Sequence, residues 1–199
     1  MRKIVLFIVG SLTLYACVNY ALVPPARTTV AGSYSVAPTV AWNKSTLHGD
    51  ERWTIDGNTL QELVFVSATD GKQILSSPLG GPTLSDPAIR PSNEKLPVYR
   101  KSMTVLDIKE LVEASITQLG AVNLATTNFR APKFGNTDGF RFDLSFARKN
   151  GLREKGFVVG AQVGEQLHLI IFIAAATYYY ERDLPEAERI VQSIAFPKA

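Results

Sequence analysis

The stretch that decides the fold is "GFRFDLSFARKNGLREKGFVVGAQVGEQLHLIIFIAAATYYY", residues 139–180. Long runs of apolar and β-branched residues fill it, and two glycine-containing dipeptides interrupt them. Asn150-Gly151 favours a type I′ hairpin turn, and Gly164-Glu165 suits a type II′ turn. The stretch therefore predicts three consecutive antiparallel strands.

Turn length predicts how these strands pair. If both turns have two-residue loops, the numbers of facing residues add up to about 301 in the first hairpin and about 329 in the second. Phe142 then faces Val159, which in turn faces Ile170. This register makes one face of the sheet densely apolar, and a shift of one residue would reverse the face of every side chain. Four residues of that face are candidates to line a pocket for a small apolar ligand: Phe140, Phe142, Leu144 and Phe157.

Two amphipathic helices accompany the strands. Apolar residues at helical spacing predict a helix over 105–119, with Thr104 and Asp107 as a capping pair and Gly120 after its last turn. The C-terminal pattern predicts a second helix with Asp183 as its N-cap. Shorter strand patterns precede the first helix. The fold class expected is α+β, a mostly antiparallel β-sheet packed with two main amphipathic helices.

The N-terminal sequence predicts that the protein is located in the cell envelope. Residues 4–16 form an apolar stretch that is too short to cross a membrane as a helix but suits a secretory signal. Leu14-Tyr15-Ala16-Cys17 resembles the bacterial lipobox, whose cysteine thiol accepts a diacylglycerol. Residues 1–16 are then a lipoprotein signal peptide and Cys17 the lipidated, membrane-anchoring residue. The alternatives are an ordinary signal peptide with a stray cysteine, or an uncleaved anchor.

The rest of the chain divides into a tether and one domain. Residues 17–33 show no periodicity and predict a flexible tether that holds the domain clear of the membrane. Residues 34–199 predict a single α+β domain. Inside it, residues 76–97 contain five prolines and two glycines and predict a long loop. That Pro-rich loop is either a surface that lies across a partner or a loose insertion.

Charge argues against nucleic acid as a partner. The formal net charge of the whole chain is +3. Loss of residues 1–16 would remove Arg2 and Lys3 and leave +1, without a basic cluster that could follow a phosphate backbone.

The opening strand and the order of elements point to a family. Tyr34-Ser35-Val36-Ala37-Pro38 followed by Trp42 resembles the start of the PsbP/Mog1-like fold, as does the succession of strands, loop, helix, hairpins and final helix. The resemblance implies an α/β/α sandwich and a binding or assembly role, and bacterial members include envelope lipoproteins of the DcrB type. Val18 after the cysteine favours the periplasmic face of the outer membrane in a Gram-negative cell. A cystatin-like or NTF2-like curved sheet is the alternative fold.

Catalytic and metal sites have little support. The register places Asp143 and Ser145 on the face opposite His168, so a Ser-His-Asp triad is not expected. We expect His168 to be a rim or core histidine with one satisfied nitrogen. His48 and Asp50 lack a third ligand at metal-binding spacing. We therefore expect no metal and no cofactor.

The tyrosine run before the last helix is the candidate partner-binding site. Tyrosine buries a ring while keeping a polar tip, which suits interfaces; the alternative is that these rings only staple the corner. The leading hypothesis is a lipid-anchored, non-enzymatic envelope protein that binds an unidentified envelope protein. A carrier of a small apolar ligand is second, and a hydrolase is third. The candidate partner-binding residues are Tyr178, Tyr179, Tyr180 and Arg182.

Overall fold

The computed structural model describes residues 20–45, 50–80 and 96–197. Over these ranges the chain forms strands and two helices in an α+β arrangement. The strands are β1 (Ala21–Val23), β2 (Thr28–Val30), β3 (Tyr34–Val36), β4 (Trp42–Ser45), β5 (Glu51–Thr54), β6 (Gln61–Ala68), β7 (Val122–Arg130), β8 (Lys133–Phe134), β9 (Thr137–Asp138), β10 (Phe140–Ala147), β11 (Arg153–Val163) and β12 (Gln166–Ala175). The helices are α1 (Val105–Gln118) and α2 (Tyr179–Gln192).

An eight-stranded sheet in the order β1-β4-β5-β6-β12-β11-β10-β7 forms the middle layer. Every pair of neighbours in it is antiparallel. The apolar side of α1 packs in the core on one face, and that of α2 packs in the core on the other. The predicted α+β class and α/β/α layering are confirmed. No helix in the described ranges has the length and hydropathy needed to span a membrane.

Helix α1 begins and ends where its sequence predicts. The Asp107 backbone N–H donates to the Thr104 hydroxyl at 3.3 Å, and the Thr104 backbone N–H donates to the Asp107 carboxylate at 2.7 Å. These bonds satisfy two N–H groups that a helix start leaves free. The Thr104 backbone N–H, followed by the Thr104 hydroxyl, donates to the Asp107 carboxylate, and these two bonds lower the pKa of Asp107.

The predicted register is confirmed in one hairpin and wrong in the other. Phe157 pairs with Phe172 across β11 and β12, as the two-residue turn requires. Phe142, however, pairs with Val158 rather than Val159. The β10–β11 loop has three residues instead of two, because Gly151 takes a φ of 86° and its N–H donates to the Arg148 carbonyl at 2.9 Å. A three-residue loop with glycine in the left-handed region is the next most common hairpin connection.

This shift divides the predicted apolar pocket between the two cores. Phe140, Phe142 and Leu144 lie in the core beside α1, whereas Phe157 lies in the core beside α2. At most 3% of any of the four residues is exposed. The four side chains therefore cannot line one cavity, and the carrier hypothesis loses the lining on which it rested.

The domain begins earlier than predicted. Residues 21–23 pair with β4, and residues 28–30 pair with β3. Val23 and Val30 are buried, so most of the expected tether is part of the folded domain. The signal peptide and Cys17, the segment 81–95 of the Pro-rich loop, and His48 lie outside the described residues.

Helix α2 also begins earlier than predicted. Its first residue is Tyr179 and its N-cap is Tyr178, which makes no side-chain capping bond. Asp183, the predicted N-cap, is buried inside the helix. Pro185 also lies inside it, and the hydrogen bond that proline cannot donate would have gone to the carbonyl of Glu181 in the first turn.

Candidate functional site: the tyrosine corner

The junction between β12 and α2 places aromatic and charged side chains together at one end of the sheet. We call Tyr178, Tyr179 and Arg182 the tyrosine corner. The Ala176 N–H donates to the Arg153 carbonyl at 2.8 Å, which continues the sheet bonding just past β12. The chain then turns within three residues, because the Tyr179 N–H donates to the Thr177 carbonyl at 3.0 Å.

Tyr178 is the central residue of this tight turn. Its φ of 74° and ψ of −59° match the γ-turn of positive φ, a rare and strained conformation. A non-glycine residue in such a region costs on the order of 1–3 kcal/mol, and this strain clusters at functional sites. Since 64% of Tyr178 is exposed, burial of its ring offsets little of that cost. The turn therefore keeps an aromatic side chain exposed to solvent at the expense of backbone strain.

The three side chains of the corner stack on one another. The rings of Tyr178 and Tyr179 meet edge to face, with centroids 5.3 Å apart. The Arg182 guanidinium carbon lies 5.4 Å from the Tyr178 centroid and 4.8 Å from the Tyr179 centroid. Both distances are within the range of cation–π attraction. The corner is thus a preformed surface of two aromatic rings and a guanidinium group.

Two carboxylates hold the guanidinium in place. Arg182 Nε and Nη2 donate to the two carboxylate oxygens of Asp183, each at 2.7 Å. Nη2 also bonds to Asp56 in the turn between β5 and β6. These hydrogen bonds, first those to Asp183, raise the pKa of Arg182 above its usual range. Arg182 therefore connects the start of α2 to the β5–β6 turn as a permanent cation.

Tyr180, the fourth predicted residue, lies apart from the other three. Its ring stacks on Phe172 of the core at 6.0 Å between centroids, and the Lys155 ammonium lies 5.6 Å from the same ring. Burial, followed by the charge of Asp143, raises the pKa of its hydroxyl. Tyr180 therefore secures the helix to the sheet.

Asp56 is the site residue that the sequence did not indicate. Its place beside Gly57 and Asn58 predicts only a turn. Its partner Arg182 is 126 residues away, and no local pattern links the two.

A buried ionic cluster holds the start of the Pro-rich loop. Arg52 bonds to Glu62 at 3.2 Å and also donates to the carbonyls of Ser77 and Pro78 at 2.9 and 2.7 Å. Residues 76–80 are therefore fixed to the sheet at this cluster.

A second ion pair reaches the same loop. Arg148 binds both oxygens of Glu154 and donates to the carbonyl of Gly80 at 3.0 Å, while the Gly80 N–H bonds to Glu62. Glu154 is nearly fully buried, and that burial raises the pKa of its carboxyl. Arg52 thus holds the loop at Ser77 and Pro78, and Arg148 holds it at Gly80.

The predicted register placed Asp143 and Ser145 on the face opposite His168, and this argument against a Ser-His-Asp triad was wrong. Asp143 and His168 nevertheless lie apart in the structure. Because of the shifted register, Asp143 and Ser145 share a face with His168. Asp143 pairs with Phe157 in the sheet, however, and Phe157 pairs with Phe172, four residues along β12 from His168. The Asp143 carboxylate instead accepts a bond from the Asn128 side chain at 2.9 Å.

His168 is a core histidine with a serine partner. Its Nδ1 lies 2.9 Å from the Ser67 hydroxyl across the β6–β12 pair, and only 3% of the residue is exposed. Tyr34 and Phe196 pack edge-on against the ring at 5.5 and 5.3 Å. Among the described residues no carboxylate bonds to this imidazole, and no three metal-binding side chains form a group.

His168 gives a pH-dependent stability. Burial lowers its pKa below the ordinary 6.5, so the unfolded chain takes up a proton before the folded one does. The stabilisation is complete above pH 6.5 and is lost as pH falls through the lower pKa of the folded state. We expect the free energy of unfolding to decrease as the pH falls below about 7. Urea unfolding of His168→Gln, which keeps a partner for Ser67, should show a smaller decrease. An equal decrease in both proteins would contradict this.

Comparison with known proteins finds solved structures that resemble this chain in fold. No protein-family model and no curated protein matches the sequence. The solved structure of the Saccharomyces cerevisiae Ran-binding protein Mog1p is similar at a TM-score of 0.48 and 10% identity, covering 90% of this chain and 96% of that one. Similarity at this level carries no argument about partner or activity.

Proposed function

We propose that this protein is a non-enzymatic binding protein of the cell envelope, anchored by a lipid on Cys17, and that the tyrosine corner binds a protein partner. The observation that supports the binding role is the strained backbone and exposed side chain of Tyr178. A protein that needed only a strand-to-helix connection could place glycine there and avoid the cost.

The chemistry of the corner suits protein recognition. Tyrosine and arginine are enriched among the residues that dominate binding energy at interfaces. The Arg182 guanidinium is already held by Asp56 and Asp183, so a partner would pay little side-chain entropy to order it. The two tyrosine rings add apolar area with polar tips.

Tyr178→Gly separates binding from folding. Glycine takes a positive φ at no steric cost, so we expect the melting temperature to stay the same or rise. Loss of the ring should weaken partner binding by about 30-fold or more, as for a residue worth about 2 kcal/mol. Differential scanning calorimetry measures the first effect, and quantitative crosslinking in the native membranes measures the second.

Two controls make this experiment specific. Leu106→Ala removes another exposed apolar side chain, 62% exposed and on α1, and should leave partner capture unchanged. Cys17→Ser should leave the protein unanchored and reduce capture at the membrane. Capture that survives Tyr178→Gly, or that Leu106→Ala reduces equally, would contradict a role for the tyrosine corner.

A further inference from the structure

The folded domain begins almost immediately after the proposed lipid anchor. Three residues, Val18 to Tyr20, separate Cys17 from the first strand. The four steps from the Cα atom of Cys17 to that of Ala21 span at most about 14 Å even when fully extended. A lipid on Cys17 would therefore hold β1 close to the headgroups.

Strand β1 is an edge strand with exposed apolar side chains. It pairs with β4 on one side and is the outermost strand at this edge of the eight-stranded sheet. Leu22 is 71% exposed, the highest value among the large hydrophobic residues of the described ranges. Tyr20 is 44% exposed, and its hydroxyl donates to the Asn58 side chain at 3.0 Å. Val23, by contrast, is buried in the core beside α2.

We propose that the β1 edge, with Tyr20 and Leu22, docks on the lipid headgroup region of the membrane in which Cys17 is anchored. This rests on the lipid anchoring of the proposed function. Tyrosine suits the boundary between water and hydrocarbon because its ring is apolar and its tip polar. An exposed leucine adds apolar area that the interface can bury. The anchor supplies most of the affinity, and the edge sets the orientation.

The opposite edge of the sheet provides a matched control. Strand β7 ends the sheet there and carries Val122, which is 40% exposed. Seven strand spacings separate the two edges, a distance of about 34 Å across the sheet. Both edges therefore carry exposed apolar side chains, and they differ in their distance from the anchor.

Fluorescence quenching by labelled lipid measures which edge contacts the bilayer. The lipidated full-length mature protein has no other thiol, so Leu22→Cys and Val122→Cys each accept one thiol-reactive fluorophore. Both are reconstituted in phosphatidylethanolamine–phosphatidylglycerol vesicles, with and without spin-labelled phospholipid. We expect the label at position 22 to lose at least twice the fraction of fluorescence that the label at position 122 loses.

Flotation of the same vesicles distinguishes the two proposals. Protein that floats with the vesicles but shows equal quenching at the two positions, or more at position 122, overturns the docking of the β1 edge and leaves the anchor intact. Protein that does not float, and whose N-terminal peptide carries no lipid by mass spectrometry, overturns the anchor and the docking together. The comparison of Tyr178→Gly with Leu106→Ala tests the tyrosine corner in a separate assay.

Discussion

Arg52→Leu is expected to lower the free energy of unfolding by about 3–5 kcal/mol, because it leaves a buried carboxylate without its cation. Glu62 is 0% exposed and Arg52 3% exposed, so water cannot replace the lost partner. The substitution also removes the donors to the carbonyls of Ser77 and Pro78. We therefore expect faster proteolysis at the start of the Pro-rich loop as well.

A double-mutant cycle separates the ion pair from the loss of packing. Arg52→Leu/Glu62→Leu removes both charges, and we expect it to be more stable than Arg52→Leu alone. Chemical denaturation of the wild type, the two single variants and the double variant measures the coupling. An Arg52→Leu protein with wild-type stability, or a double variant no better than the single one, would show that Glu62 is not held by Arg52.

Gly156→Ala is expected to cost about 3 kcal/mol, the upper end of what forced overpacking usually costs. A Cβ atom at this position would lie 1.9 Å from the backbone carbonyl oxygen of Phe172 on the neighbouring strand. Backbone cannot rotate away as a side chain can, so the β11–β12 pair would have to separate locally. That pair lies in the middle of the sheet and supports both cores.

The neighbouring residue provides the control for this glycine. Lys155→Ala removes an exposed side chain on the same strand whose ammonium lies 5.6 Å from the Tyr180 ring, so it should alter stability by less than about 1 kcal/mol. The urea midpoints of both variants measure how much stability each substitution removes. Similar midpoints for Gly156→Ala and the wild type would mean that the strands tolerate a side chain at this close approach.

Local sequence patterns correctly predicted the elements whose formation depends on residues close together in the chain. Helix α1 begins at Val105 because the Thr104 hydroxyl and the Asp107 carboxylate, three residues apart, each accept a bond from the other residue's backbone N–H. The β11–β12 hairpin follows from Gly164, whose positive φ suits a two-residue turn. The α+β class follows from runs of consecutive strands, each run followed by one helix.

These local patterns could not predict the register of the β10–β11 pair. Asn150-Gly151 is compatible with loops of two or three residues, and the difference between them is one residue of register. Because of this one-residue difference, Phe157 lies in the core beside α2, and Asp143 and His168 lie on the same face of the sheet. Packing of the whole sheet selects between the two loops, and no short window of sequence contains that information.

The sequence by itself determined the class of fold, the position of α1, the second hairpin and the tyrosine run as a candidate surface. Tertiary structure decided which tyrosines form that surface, since Tyr180 stacks on Phe172 while Tyr178 and Tyr179 stack under Arg182. It also decided that residues 21–23 and 28–30 are strands rather than parts of a tether, because β4 and β3 supply their partners. The physical reason is the same in each case. Contacts between residues far apart in the chain carry the energy, and their geometry exists only once the sheet has formed.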